Sequence, residues 1–166
     1  MKRAASIVLA DASPLIALGI VDGLAWAHAL FGKVSLTATV QGEVAPGNGR
    51  PGEREIAAAI KRGWLKKIRD EWQEPASAEF DAGEASTLRA AVNLRRPCLI
   101  LMDEKAGRAI ARELGFAVTG TAGIILAAKR RRLIPAARPV FEQLLGNDFR
   151  LSSELIRAVL DEAGEK

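Results

Sequence analysis

The sequence predicts an α/β protein, a three-layer α/β/α sandwich around a central parallel sheet of about four to five strands. First, short apolar runs, the clearest at residues 7–10 and 98–102, have the length and content of buried strands. Second, segments of helical periodicity separate these runs, and parallel strands need such crossover connections. Third, aspartates end the two clearest runs, where a parallel sheet presents side chains to a ligand.

The remaining elements follow from local signals along the chain. After the strand at 7–10, Ser13 and Pro14 have the order of an N-cap and a first-turn proline. Two short apolar helices follow, broken near Asp22 and Gly23. The other predicted strands are 34–36, 64–68 at an edge, 98–102 and 116–118, and the other predicted helices start at Thr37 or Thr39 and span 53–62, 82–95, 104–114, 121–131, 135–146 and 152–163.

The length and composition of the chain limit the classes of protein to which it can belong. With 166 residues, of which 49% are hydrophobic, residues 1–166 are predicted to form a single domain. No apolar stretch approaches the roughly 18 residues of a membrane helix, so we expect a cytoplasmic protein with no membrane partner. One cysteine, Cys98, and one histidine, His28, argue against thiol catalysis and histidine-rich zinc sites. The net charge of +4 is compatible with an anionic partner but carries little weight alone.

Four acidic residues in four separate segments are the main functional signal. Asp11 and Asp103 directly follow predicted strands, and Glu43 and Glu84 lie on predicted helices. Carboxylates gathered at one sheet edge repel each other unless a cation neutralises them, and hard divalent cations prefer oxygen ligands. Such a set is what a metal-dependent phosphodiester hydrolase requires. We therefore predict an Mg²⁺ or Mn²⁺ site in which the two aspartates contact the metal directly and the two glutamates do so directly or through water.

Each acid also has a structural explanation. Asp11 and Asp103 could cap the helices that follow them. Asp81 and Glu84 fit a capping box, with the aspartate at the N-cap and the glutamate three residues later. Glu43 could lie on a solvated helix face. The arrangement of the acids, rather than any one of them, favours the metal site.

The acids belong to an ordered set of motifs. Residues 11–16 read Asp-Ala-Ser-Pro-Leu-Ile, residues 83–85 Gly-Glu-Ala, residues 103–104 Asp-Glu and residues 118–121 Val-Thr-Gly-Thr, and residues 129–135 continue the pattern. With these motifs the chain resembles the PIN-domain family, nucleases that include toxins of toxin–antitoxin pairs. It is similar to the branch whose members open with Asp-Ala-Ser-Pro-Leu-Ile.

The resemblance implies a PIN-like fold and a Mg²⁺- or Mn²⁺-dependent endoribonuclease that is the toxin of a toxin–antitoxin pair. It also implies a cognate antitoxin and a homodimer, for which the apolar helices at 15–30 offer an interface. Glu104 stands where many relatives have a second aspartate. The resemblance further implies that the catalytic and metal-binding residues are Asp11, Glu84 and Asp103, matched by motif, and Glu43, matched by its position and helix context. Ser13 and Thr121 are then supporting polar residues.

Basic residues near these acids are predicted to contact RNA phosphates. They are Arg50 in the glycine-rich segment 46–52, which is predicted to be flexible, Lys105 and Arg108 beside Asp103, and Arg130 in a basic run. That run is also typical of a solvated helix end.

Two other functions stay open. The chain could be an inactive PIN-like module that binds RNA or a protein partner. It could also transfer phosphoryl groups through an aspartyl intermediate at Asp11, although Ser13 occupies the position of the second aspartate which that chemistry prefers. The sequence does not choose among transfer, ribosomal or messenger RNA or single-stranded DNA as substrate.

Overall fold

A computed structural model describes residues 7–69 and 81–166. The strands in these residues are β1 (Ile7–Ala10), β2 (Val34–Thr37), β3 (Leu65–Ile68), β4 (Cys98–Leu101) and β5 (Ala117–Thr119). They form one all-parallel sheet in the order β3-β2-β1-β4-β5. The predicted α/β class, the parallel sheet and the edge position of β3 are confirmed.

Helices connect the strands and cover both faces of the sheet. They are α1 (Ala12–Ile20), α2 (Leu24–Phe31), α3 (Ala38–Val44), α4 (Glu53–Arg62), α5 (Ala82–Leu94), α6 (Lys105–Glu113), α7 (Thr121–Arg130), α8 (Arg138–Gly146) and α9 (Ser153–Glu162). None of these helices has the combination of length and apolarity that crossing a membrane requires. The arrangement is the three-layer α/β/α sandwich expected from the sequence.

Alternate residues of β1 point into different cores, because successive side chains of a strand face opposite sides of the sheet. Val8 and Ala10 pack with residues of α1, α2 and α4, whereas Leu9 packs with residues of α5 and α6. A further cluster around Phe141 joins α7, α8 and α9 to the outer side of α1. The apolar residues of α1 and α2 therefore lie largely in cores: Leu15 and Leu18 are fully buried.

Two helices begin two or three residues away from the predicted starts. Helix α1 begins at Ala12, and Asp11 only occupies the N-cap position: its backbone is extended and its amide still bonds to the carbonyl of Leu101 at 2.9 Å. Pro14 then lies in the first turn, where an amide would have no intrahelical partner. Helix α8 begins at Arg138, not Pro135.

The glycine-rich segment after α3 is tied to the protein rather than free. The Glu53 carboxylate accepts hydrogen bonds from the amides of Gly47, Gly49 and Arg50, the last two at 2.7 and 3.0 Å. Gly52 has a φ of 83°, and its Cα packs against Gly19 of α1, where a Cβ would come within 2.8 Å of it. Glycine is required at both positions for this close approach.

Candidate functional site

The order in which the chain adds strands to the sheet reverses beside β1, and Asp11 lies at this switch point, where open parallel sheets bind ligands. The chain passes from β1 to β2 on one side and later returns to β4 on the other, so the carboxyl ends of β1 and β4 flank the switch point. Asp11 follows β1 and is only 3% exposed. Its side chain makes no capping bond to α1, and Oδ1 has no hydrogen-bond partner. The capping explanation for this carboxylate is therefore wrong.

Two more carboxylates meet Asp11 at this edge. Oxygen atoms of Asp11, Glu43 and Asp81 all lie within 4.8 Å of one another. Glu43 projects from α3, and Asp81 is the N-cap of α5, where its Oδ1 accepts from the amide of Glu84 at 2.7 Å. The predicted cap is thus confirmed, but the sequence interpretation missed that the same residue joins the acidic cluster. Its place at the same helix end as Glu84 could have suggested this, but the contact of α5 with α3 that brings it to Glu43 has no local signal in the sequence.

The position of Glu43 depends on contacts between α3 and α5. Thr37 caps α3 by accepting from the amide of Val40 at 3.1 Å, and its hydroxyl also bonds to that of Ser86 on α5 at 2.6 Å. The Glu43 carboxylate lies directly over Gly83: a Cβ there would be 2.6 and 2.8 Å from its two oxygens. The absence of a side chain at Gly83 thus makes room for Glu43 beside Asp11.

Burial and mutual repulsion raise the pKa values of this cluster. Burial, followed by the charges of Asp81, Glu84 and Glu43, raises the pKa of Asp11 to about 7. Burial, followed by the charges of Asp81 and Glu104, raises the pKa of Glu84 to about 7. Burial also raises the pKa of Glu43. Such carboxylates either hold protons near neutral pH or need a cation.

The cluster fits a hard divalent cation. Its donors are carboxylate oxygens, and two of the buried oxygens without a hydrogen-bond partner in the described part of the chain are Asp11 Oδ1 and Glu84 Oε1. His28 instead stacks on Trp64 with ring centroids 4.8 Å apart, and the buried Cys98 begins β4 at the opposite edge of the sheet. A donor set of this kind suits Mg²⁺ or Mn²⁺.

Asp103, the other strand-end aspartate, has a different environment. Its Oδ1 accepts from the Thr121 amide and its Oδ2 from the Thr121 hydroxyl, both at 2.7 Å. Burial raises its pKa, while Thr121 and the charge of Arg108 oppose the rise. Among the described residues it is outside the group of three close carboxylates. Its role as a metal ligand stays a prediction, as does the supporting role of Thr121, which donates both of these hydrogen bonds.

Comparison with known families agrees with this geometry. The DUF3368 family model, which describes a PIN domain, matches residues 7–165. The chain belongs to this PIN-domain family. PIN domains are generally nucleases and typically use divalent metals, in keeping with the acidic cluster. No curated protein matches the chain.

The basic residues predicted to contact RNA lie in different parts of the PIN domain. Lys105 and Arg108 line a groove of about 630 Å³ whose walls also include Ser13 and Asp103. Arg50 is exposed on the segment after α3. Arg130 lies at the other end of α7 from Thr121 and pairs with Glu162 at 3.0 Å, where both side chains are about 60% exposed.

Proposed function

We propose that this PIN domain is a Mg²⁺- or Mn²⁺-dependent endoribonuclease and the toxin of a toxin–antitoxin pair. The observation that carries the enzymatic part is the cluster of Asp11, Glu43 and Asp81, with oxygens within 4.8 Å and a buried Asp11 oxygen without a partner. The toxin part rests on the resemblance to toxin components through the motifs at 11–16 and 118–121.

The residues divide into cation-holding and supporting groups. Asp11, Glu43 and Asp81 would hold the cation, and Glu84 would complete its surroundings through the oxygen that has no hydrogen-bond partner. When bound, the cation would activate water for attack on the phosphodiester and offset negative charge on the phosphate. Because the pKa values of Asp11 and Glu84 are raised to about 7, both carboxyls would have to be deprotonated to hold a cation.

The other predicted residues orient the substrate and the pocket. Thr121 holds the Asp103 carboxylate with two hydrogen bonds, so that its charge has a fixed position in the lining of the groove. Lys105 and Arg108 line the groove beside it and would bind substrate phosphates. Ser13, two residues after Asp11, lines the same groove and would contact the substrate near the cluster.

Cleavage of a mixed RNA pool tests the enzymatic proposal. The wild type is incubated with Mn²⁺ or Mg²⁺ beside Asp11→Asn, Asp103→Asn and a chelator control, and Mn²⁺ binding is measured separately by calorimetry. We expect cleavage by the wild type, loss with chelator and a loss of at least about 100-fold in Asp11→Asn. A folded wild type that binds Mn²⁺ but leaves every RNA intact would instead support the inactive binding module.

Growth tests the toxin proposal independently. We expect induced expression of the wild type to arrest a bacterial host, and Asp11→Asn at equal expression to leave growth unchanged. Growth arrest by both proteins would separate toxicity from the acidic cluster, and growth with both would argue against the toxin role.

A further inference from the structure

Two buried hydroxyl groups connect the helix that carries Glu43 to the helix that Asp81 caps. Thr37 is the last residue of β2 and the N-cap of α3, and Ser86 lies near the N-terminus of α5. Their hydroxyl oxygens are 2.6 Å apart, and neither residue is more than 5% exposed. Because the two residues are 49 positions apart in the chain, this bond joins two elements, which a helix cap does not do.

The direction of this bond follows from the number of hydrogens available. The Ser86 hydroxyl has one hydrogen and donates it to the carbonyl of Gly83 at 2.9 Å. Thr37 therefore donates to Ser86, while the Thr37 oxygen accepts from the amide of Val40 at 3.1 Å. Each hydroxyl is thus both donor and acceptor, so a continuous series of hydrogen bonds runs from the first turn of α3 to the first turn of α5. Bonds in such a series strengthen one another.

The series ends at the residue that contacts Glu43. Burial and then the charge of Asp81 raise the pKa of Glu43, whereas a hydrogen bond from the amide of Gly83 opposes the rise. Gly83 therefore donates to Glu43 through its amide and accepts from Ser86 through its carbonyl. Asp81 lies two residues earlier in the same turn. A shift of this turn relative to α3 would change the distance between the Glu43 and Asp81 carboxylates.

The neighbouring hydroxyl shows what a purely local role looks like. Serine and threonine in helices often donate to a carbonyl three or four residues earlier. The fully buried Thr87 does this, since its hydroxyl donates to the same Gly83 carbonyl at 2.9 Å. Ser86 differs because its oxygen also accepts from another element. Packing alone needs no hydroxyl here, because an apolar side chain of similar size avoids the cost of burying a polar group.

We propose that Thr37 and Ser86 are positioning residues of the acidic cluster. Their hydrogen bond holds the first turn of α5 against α3 and so fixes the distance between Glu43 and Asp81. Without such a link, carboxylates that repel one another would move apart. The inference rests on the proposed ribonuclease function and deepens it by naming the residues that order its carboxylates before a cation enters. Ligands that are already in place bind more tightly, because less ordering accompanies binding.

Two substitutions on α5 separate this role from stability. Ser86→Ala removes the bond to Thr37 and one bond to the carbonyl of Gly83, whereas Thr87→Val removes only the other bond to that carbonyl and is the matched control. Calorimetry measures Mn²⁺ binding, and urea unfolding in EDTA measures stability. Crystal structures of the metal-free wild type and of Ser86→Ala measure the distance between the carboxylates that α3 and the N-cap of α5 contribute.

We expect Ser86→Ala to weaken Mn²⁺ binding roughly five- to tenfold, the low end of the effect of removing an outer partner of a metal ligand. The distance between the two carboxylates should increase. Thr87→Val should lose stability but keep its Mn²⁺ affinity within about twofold of the wild type. Thr37→Ser keeps the hydroxyl and should bind Mn²⁺ as the wild type does, whereas Thr37→Val should not. Adding Ser86→Ala to Thr37→Val should cause little further loss, because both remove the same bond.

Wild-type Mn²⁺ affinity in Ser86→Ala, or equal losses in Ser86→Ala and Thr87→Val, would overturn the proposal. The outcomes also distinguish it from the proposed function. If the wild type binds Mn²⁺ but cleaves no RNA, the ribonuclease proposal fails and the affinities of the variants still decide the positioning role. If the wild type binds no Mn²⁺, the metal site fails and the crystal structures decide: an unchanged distance between the carboxylates overturns the positioning role, and an increased one supports it.

Discussion

Asp11 and Asp103 lie just past the carboxyl ends of neighbouring strands, Asp11 by one residue and Asp103 by two, and their surroundings differ. Ala10 of β1 pairs with Leu101 of β4, and each aspartate follows shortly after its strand. Both oxygens of Asp103 accept hydrogen bonds from Thr121, at the N-terminus of α7. Asp11 has an oxygen without a partner and faces other carboxylates. The end of a strand thus brings a carboxylate to this edge of the sheet. The helix that packs beside it determines whether protein groups donate hydrogen bonds to that carboxylate or leave an oxygen without a partner.

Metal affinity should separate the two aspartates most strongly. We expect Asp11→Asn to weaken Mn²⁺ binding by about 100-fold, because it removes a buried charge from the cluster. We expect Asp103→Asn to weaken it by less than about tenfold, as for a residue that surrounds a metal site without binding the ion. Calorimetric titration of both variants measures this. Equal losses would show that Asp103 binds the ion directly and would remove the contrast.

The dependence of stability on pH should also differ between the wild type and Asp11→Asn. In metal-free protein the pKa of Asp11 is raised to about 7, so the folded state binds more protons than the unfolded state between about pH 4 and 7. The free energy of unfolding therefore falls as the pH rises through this range. At pH 8 in EDTA, Asp11→Asn should be more stable than the wild type by on the order of 2 kcal/mol.

Urea unfolding at pH 5 to 8 in EDTA measures this effect. Asp103→Asn is the comparison, because the asparagine oxygen can still accept from the Thr121 amide and its NH₂ group can donate to the Thr121 hydroxyl, so that the change removes mainly the charge. Saturating Mn²⁺ should restore the stability of the wild type at pH 8 but not add equally to Asp11→Asn. A wild-type stability that is flat or rises with pH would contradict the repulsion between these carboxylates.

Asp81 tests whether a helix cap can also serve the cluster. Asparagine caps helices as well as aspartate does, so Asp81→Asn should keep α5 intact and remove only the charge. We expect Mn²⁺ affinity to fall about tenfold while stability changes by less than about 0.5 kcal/mol. Asp81→Ala should also lose about 1 kcal/mol of stability. Unchanged Mn²⁺ affinity in Asp81→Asn would confine this residue to capping.

Sequence patterns predicted the sheet but only part of the acidic site, because the patterns are local and the site also depends on contacts between distant segments. The strands β1 and β4 follow from local apolar runs, and their ends place Asp11 and Asp103 correctly. The partner of Asp103 is Thr121, 18 residues away, and the pattern named both residues without indicating that they bond. Asp81 reaches the cluster because α5 packs on α3, and no local signal encodes that contact.

The start of α8 was mispredicted for the same reason. Pro135 is a local start signal, but the Glu165 carboxylate, which follows α9, accepts from the amides of Ala137 and Arg138 at 2.6 and 3.0 Å. These amides are satisfied there as a side-chain cap would satisfy them, and the helix begins at Arg138. A contact between residues 28 positions apart overrode the local signal.

Substitution of Gly83 should have the smallest effect, because it would move one carboxylate of the acidic cluster without removing any. A Cβ at Gly83 would lie 2.6 and 2.8 Å from the Glu43 oxygens, so Gly83→Ala should push that carboxylate away from Asp11. Alanine also favours the helix by up to about 1 kcal/mol over glycine. We therefore expect Mn²⁺ affinity to fall about fivefold while stability stays the same or rises.

Gly42→Ala is the matched control, since a Cβ at this helical position of α3 meets nothing within 4 Å. It should gain helix stability and keep Mn²⁺ affinity. In a Glu43→Ala background, Gly83→Ala should have no further effect on the metal, because the carboxylate that it displaces is gone. A fivefold loss that persists in this background would mean that Gly83 acts through α5 itself and not through Glu43. In that case the space over Gly83 would not be what positions Glu43 in the cluster.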